Sequence, residues 1–286
     1  MFGAGGGRPA MRRERGSKRV RAMRRTPPMV AVLLSALVVT GCAAGPSQAG
    51  VQSPGGSHHH TPHSTPSAER PTPTATPTPT VIAFDKTAQS VDDPASPWVV
   101  VNKPRQLNPV GYVPADLVFP GVTYMNRQPM RQQTADALLA LFAAGRAEAG
   151  LEFSVQSAYR AYDSQVRVYD DDVARNGRVY ADTDTARPGH SEHQTGLAVD
   201  ISAVPAKCSL DACFAQTPQG VWLAANAYRF GFLLRYPADK VAVTGFTFEP
   251  WHFRFVGVPL ATELHRTGVT TLEEFFGVPG GTQYTG

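Results

Sequence analysis

The chain has 286 residues, 42% of them hydrophobic and 17% charged, which is enough apolar material to bury a sizeable core. Its formal net charge is +4, but nine basic residues and a single acid precede Cys42, and the 18 basic and 22 acidic residues after it leave that part at −4. The positive balance belongs to the leading segment alone, so it gives no basis for nucleic-acid binding by the rest of the chain.

Taken in chain order, residues 8–25 hold the nine Lys/Arg, and Met29 to Thr40 is an uncharged run of twelve. A basic stretch followed by a short apolar one reads as a signal peptide over 1–41, and twelve residues are too few to span a membrane. Met11 and Met23 are alternative starts. The run ends Val39-Thr40-Gly41-Cys42, which resembles the bacterial lipoprotein box. That resemblance implies a lipid on Cys42 and a catalyst held outside the cytoplasm on the cell membrane; cleavage nearby without a lipid is the alternative. Residues 42–95 are rich in Pro, Thr, Ser, Gly and Ala, and Pro71 to Thr80 is nearly all Pro and Thr. Such a segment cannot bury enough apolar surface to order itself and reads as a disordered linker. His58, His59, His60 and His63 fall within it and read as solvated residues.

Residues 96–286 suit one globular domain. Arg131 to Ala149 reads as a helix with Ala135, Leu138, Leu139 and Phe142 on one face and Gly150 as its stop. Asp163 to Asn176 reads as a second, carrying Val166, Tyr169 and Val173, with Gly177 ending it. Thr217-Pro218 opens a third, with Thr as cap, Pro at the first helical position and Gly231 as its close. Strands are expected over Phe153–Ser157, Leu197–Ser202, Phe232–Tyr236 and Trp251–Val256. The expected class is α+β, a small mainly antiparallel sheet with flanking helices and the functional site at the sheet. Cys208 and Cys213, five apart in a chain read as exported, read as a local disulfide worth about 2 kcal/mol.

The chemistry lies in two short segments. His193 and Asp200 are separated by six residues, and Glu249-Pro250-Trp251-His252 follows later. Asp200 sits between Val199 and Ile201, where a carboxylate is costly unless paired or bound to a metal. Two imidazoles and one carboxylate suit a catalytic zinc site, which takes three protein ligands and leaves a position for water. Zinc brings the pKa of that water to about 7, and a nearby Glu can take its proton and pass it to a leaving amine. Glu249 and His252 would share a face of a helix, but Pro250 and the aromatic run after it favour a strand, where an offset of three puts side chains on opposite faces. Both then serve one site only if the chain bends at Glu249-Pro250 or if Glu249 stands at the mouth of the strand.

The run Ser191 to Asp200 fits S-x-H-x-x-G-x-A-x-D, and with the E-P-W-H segment it resembles the VanY-type zinc D-alanyl-D-alanine carboxypeptidases. Ser157-Ala158-Tyr159-Arg160 with Gln165, Trp222-Leu223 with Asn226, Gly231-Phe232 and Arg235-Tyr236-Pro237 extend the resemblance over about Val101 to Phe276. It implies His193, Asp200 and His252 as ligands of Zn²⁺, Glu249 as general base and acid, and Arg160 as the cation for a developing oxyanion or a substrate carboxylate. It implies Gln165 and Ser191 as substrate contacts. Arg235 is a weaker candidate for the carboxylate clamp. A surface ion pair with Asp163 is the bland alternative for Arg160, and a turn residue bonded to its own backbone is that for Ser191. The implied function is removal of the terminal D-alanine from peptidoglycan stem peptides. L,D-carboxypeptidase action on tetrapeptides is a second reading, and a non-catalytic zinc-containing wall-binding module is a third.

Overall fold

The computed structural model describes residues 83–285. The expected signal peptide, Cys42, the four linker histidines and the linker up to residue 82 lie outside the described residues. The folded chain begins before the expected boundary at residue 96. Phe84 packs on Trp98 and Phe275, with ring centroids 5.6 and 5.7 Å away. Lys86 Nζ donates to the Phe275 carbonyl at 2.6 Å, and Val100 N to the Val91 carbonyl at 3.0 Å. Residues 83–95 therefore belong to the domain rather than to the linker, because Phe84 and Val91 give this stretch the apolar anchors that the Pro/Thr tract lacks.

Strands β1 (Leu117–Val118) and β2 (Met130–Arg131) pair antiparallel and lead into helix α1 (Gln132–Ala149), which ends on Gly150 in the left-handed region. Ala135, Leu138, Leu141 and Phe142 are buried, while Leu139, expected on that face, is 41% exposed. The buried stripe runs Leu138, Leu141, Phe142, Gly145, one residue row round from the expected one. Gly145 sets it: the Phe153 ring lies so close that a Cβ there would sit 2.4 Å from it.

Strand β3 (Glu152–Ser157) is followed by α2 (Tyr162–Asn176) and α3 (Arg178–Asp184). The inward face of α2 is Gln165, Tyr169 and Asp172. Val166 and Val173, expected inside, are only half-buried. A 3-10 turn (Glu192–Thr195) leads into β4 (Ala198–Val204), and α4 (Pro218–Asn226) starts with Thr217 Oγ1 accepting from Gly220 N at 3.0 Å. The chain closes with β5 (Phe232–Leu234), α5 (Val241–Thr244), β6 (His252–Phe255), α6 (Val258–Thr267) and α7 (Leu272–Phe276). No helix of the described residues is long and apolar enough to cross a membrane.

The main sheet has the order β3-β4-β6-β5 and is antiparallel throughout, as the α+β expectation required. Phe153, Val155, Val199, Ile201 and Phe253 join α1 and α4 in one core cluster, while Trp98, Val256, Leu260, Leu264 and Phe275 make a second under α6 and α7. Central strand β4 is buried along nearly its whole length. Its register sets Asp200 opposite His252 on one side and Ser157 on the other. Antiparallel partners share a sheet face, so three strands deliver three polar side chains to one point.

Candidate active site

The floor of the site is built from that register. The 3-10 turn before β4 swings His193 over Asp200, and Gly196 ends the turn at φ 68°. A Cβ at Gly196 would meet Arg131 Cγ at 2.9 Å and Leu117 Cδ2 at 3.2 Å, so both the conformation and the space call for glycine. The Glu249–His252 question is resolved by a turn at Pro250-Trp251. His252 N donates to the Glu249 carbonyl at 3.1 Å, strand β6 starts at His252, and Glu249 stands at its mouth. Glu249 Oε2 is 3.7 Å from His252 Nδ1.

His193, Asp200 and His252 each offer one donor atom, and these atoms lie within 4.8 Å of one another. His193 Nε2 is 3.3 Å from Asp200 Oδ2, and His252 Nδ1 is 3.2 Å from Asp200 Oδ1. The edge of a tetrahedron with ~2.0 Å bonds is about 3.3 Å. Asp200 Oδ1 is buried and has no hydrogen-bond partner, although His252 is that close. The two groups aim at a common point rather than at each other. The remaining ring nitrogens are engaged: His193 Nδ1 contacts the Ala158 carbonyl at 2.7 Å and His252 Nε2 contacts Glu192 Oε2 at 3.3 Å. Each contact suits a ring N–H on the outer side, which leaves the lone pair of the inner nitrogen facing the shared point. Ser157 Oγ donates to Asp200 Oδ2 at 2.6 Å. The donor set, the spacing and the orphaned oxygen fit zinc.

The buried groups at the floor act strongly on one another. Burial alone would raise the Asp200 carboxyl, but the two imidazoles hold it well below the usual carboxylate range. Burial would lower His252, yet its contacts with Asp200 and Glu192 push it up to about 9. Burial pushes Glu249 up to about 8, against His252 and with Asp200 and Asp184.

Above the floor lies a cleft of about 650 Å³ lined by Arg160, Gln165, Ser191, Glu249 and the three metal-site residues, among others. Arg160 is half-buried and is not paired with Asp163. Its Nη1 donates to Gln165 Oε1 at 3.0 Å, while Gln165 Nε2 donates to the Ala186 carbonyl at 2.7 Å. Gln165 lines the cleft with its amide engaged at both ends, by Arg160 and by the Ala186 carbonyl. The Ser191 hydroxyl does not cap the 3-10 turn that follows it. Cys208 and Cys213 form the expected disulfide, and residues 210–212 of its loop line the same cleft.

Arg235 does not belong to the cleft. It is 0% exposed, with Nε donating to Glu192 Oε1 at 2.8 Å and its two terminal nitrogens to Glu273 at 2.9 and 2.6 Å. It cannot clamp a substrate carboxylate, because it is fully buried, lies outside the cleft lining and is held by two acids. Arg254 adds a donor to Glu192 Oε1 at 2.9 Å and two more to the Pro97 and Val99 carbonyls. Sequence reasoning missed Glu192, Arg254 and Glu273 altogether. The signal available for Glu192 was its place beside His193 in the motif; nothing marked Glu273, far along the chain.

A half-buried cationic cleft residue, a buried carboxylate and a zinc-fitting triad on an α+β sheet define a zinc metallopeptidase. The model of the family "VanY: D-alanyl-D-alanine carboxypeptidase" matches residues 127–258. The chain is 39% identical over 193 residues to the putative carboxypeptidase YodJ of Bacillus subtilis (strain 168), covering 66% of this chain and 70% of that one. Among solved structures it is similar to the LdcB LD-carboxypeptidase, at 39% identity and TM-score 0.59 over 64% of this chain and 87% of the other. It is similar also to a mutant of the vancomycin-resistance D,D-pentapeptidase VanY solved with Zn(II), at 34% identity and TM-score 0.52 over 62% and 97%. The chain belongs to the VanY family of carboxypeptidases, and its cofactor is zinc.

Proposed function

We propose that this protein is an exported carboxypeptidase that removes the terminal D-alanine from D-Ala-D-Ala ends of peptidoglycan stem peptides. The observation that carries the reading is the unpartnered Asp200 Oδ1 between two outward-tethered imidazoles, at the floor of a cleft that also holds Glu249 and Arg160. His193, Asp200 and His252 would hold the zinc. When bound, zinc supplies Lewis acidity and an acidified water. Glu249 takes the proton of the attacking water and returns it to the departing amine. Ser157 and the Ala158 carbonyl fix Asp200 and His193, so these groups need no rearrangement as charge develops. Arg160, aimed by Gln165, receives the terminal carboxylate in a charge-assisted bond, and Ser191 donates to the peptide.

Cleavage by L,D-specific action on a tetrapeptide is the second reading, favoured by the similarity to the LdcB LD-carboxypeptidase. Residues 1–41 serve as a signal peptide, Cys42 carries the lipid and the following tract is a spacer, with residues 83–285 as the catalytic unit. Mass spectrometry of muropeptides incubated with the purified enzyme tests the reading. Loss of one alanine from pentapeptides supports it, and loss from tetrapeptides alone replaces it with the second. Amidating the terminal carboxylate should lower kcat/KM at least ~100-fold, because the clamp is left unpaired. Equal cleavage of acid and amide would indicate an endopeptidase. Cys42→Ala should release the enzyme from the membrane fraction; retention there would sink the lipid anchor.

A further inference from the structure

The loop after β4 holds Cys208 at φ 56° and Leu210 at φ 52°, the two non-glycine residues with positive φ among the described residues. A leucine in the left-handed region is strained by its Cβ, and such strain persists only where the surroundings enforce it. The enforcement is visible. The Cys208–Cys213 bond closes the loop, and Asp211 Oδ1 accepts from Cys213 N at 2.8 Å. Ser202 Oγ on β4 contacts Ser209 Oγ at 3.1 Å, and Phe214 is fully buried just beyond the loop. Yet Leu210 is itself 47% exposed. An exposed side chain returns little to stability, so burial does not explain why a strained leucine is held there.

Leu210 lines the catalytic cleft, and so do Val168 of α2 and Tyr180 of α3, which are also exposed. The floor of the cleft is polar, while these three make part of its wall apolar. A carboxypeptidase encloses the terminal residue and lets the rest of the chain leave through the open side, where exposed lining residues stand. Resting on the functional reading above, we infer that the disulfide-clamped loop is a specificity element. It holds Leu210 against the aliphatic part of the peptide on the N-terminal side of the scissile bond.

The test compares two substrates, acetyl-D-Ala-D-Ala and a longer acyl-tripeptide with an aliphatic residue before D-Ala-D-Ala, on the purified full-length enzyme. The wild type should favour the longer peptide at least ~10-fold in kcat/KM, mainly through KM, as burial of an aliphatic side chain allows. Leu210→Gly should reduce that preference below ~2-fold while Tm stays level or rises, because glycine relieves the strain. Leu210→Asn, which tolerates the same backbone but offers no apolar surface, should lose the preference equally. Leu210→Met should retain most of it. A preference that survives in both Leu210→Gly and Leu210→Asn overturns the inference, as does a Leu210→Gly variant with lowered Tm and intact preference, which would make the leucine structural. If the wild type cleaves both peptides alike, the inference falls and the functional reading stands. If it cleaves neither, both fall.

Discussion

Two buried charged clusters meet at His252, and they are finished to different degrees. On one side Glu192 and Glu273 face Arg235 and Arg254, and every carboxylate oxygen of the pair of acids that is described has a cationic or polar donor. Asn102 Nδ2 adds a bond to Glu273 Oε1 at 2.8 Å. On the other side Asp200 keeps a buried oxygen without a partner and Glu249 is pushed up by burial. The first cluster is closed on itself. The second keeps an unpartnered carboxylate oxygen beside two imidazoles, and that difference, not depth of burial, separates the region fitted to hold a metal from the one that is not. Burial of charge by itself distinguishes nothing, because the Glu192–Arg235–Arg254–Glu273 group is the more deeply buried of the two.

Substitutions on each side of the contrast have separate expected outcomes. Asp200→Ala should reduce bound zinc from about one per chain to less than ~0.1 and abolish hydrolysis, measured by metal analysis of the purified variant. A zinc-replete Asp200→Ala protein would remove the carboxylate from the ligand set. Glu249→Gln should keep its zinc while kcat falls ~10²–10⁴-fold, since the amide cannot take a proton; near-normal turnover would take Glu249 out of the reaction. Arg235→Met should leave Glu192 and Glu273 short of their shared partner and cost about 3–5 kcal/mol in urea unfolding. A shift below ~1 kcal/mol would show that the closed cluster contributes specificity of fold rather than stability. Glu192→Gln should be the mildest, weakening zinc affinity ~10–100-fold by chelator competition, because the support behind His252 Nε2 is altered. Unchanged affinity would mean that the two clusters share a residue without sharing a function.

Much of this architecture was legible in the sequence, and the reasons are local. The four strands of the main sheet are short β-branched and aromatic runs, and α1, α2 and α4 carry glycine or Thr-Pro punctuation at their ends. The metal-site residues sit in compact segments whose spacing reflects one turn and one strand pair. The missed features depend on partners far apart in the chain. Leu139 yielded to Leu141 because the Phe153 ring chose the face that carries Gly145. The inward face of α2 is polar because Gln165 borders the cleft while Tyr169 and Asp172 bond to Asp182 and Thr185, against what Val166 and Val173 suggested. Arg235 looked like a ligand clamp because an arginine advertises its charge but not its acid, and Glu273 lies 38 positions later. Helix α6, with a proline in its first turn and Leu260, Ala261 and Leu264 on its inner face, was not among the expected elements.

The pairing of Asp200 with His252 has a consequence for the life history of the molecule. The two residues are far apart in sequence and become neighbours only when β4 and β6 align in one register. A slip by a single residue would turn one of them to the other face of the sheet and leave no three-ligand site. Zinc capture would then select for correctly registered chains. Once captured, metal at about 1,000 times its dissociation constant adds ~4 kcal/mol to the folded state. Scarcity of zinc would then do more than silence the enzyme; it would thin the population of molecules able to survive proteolysis.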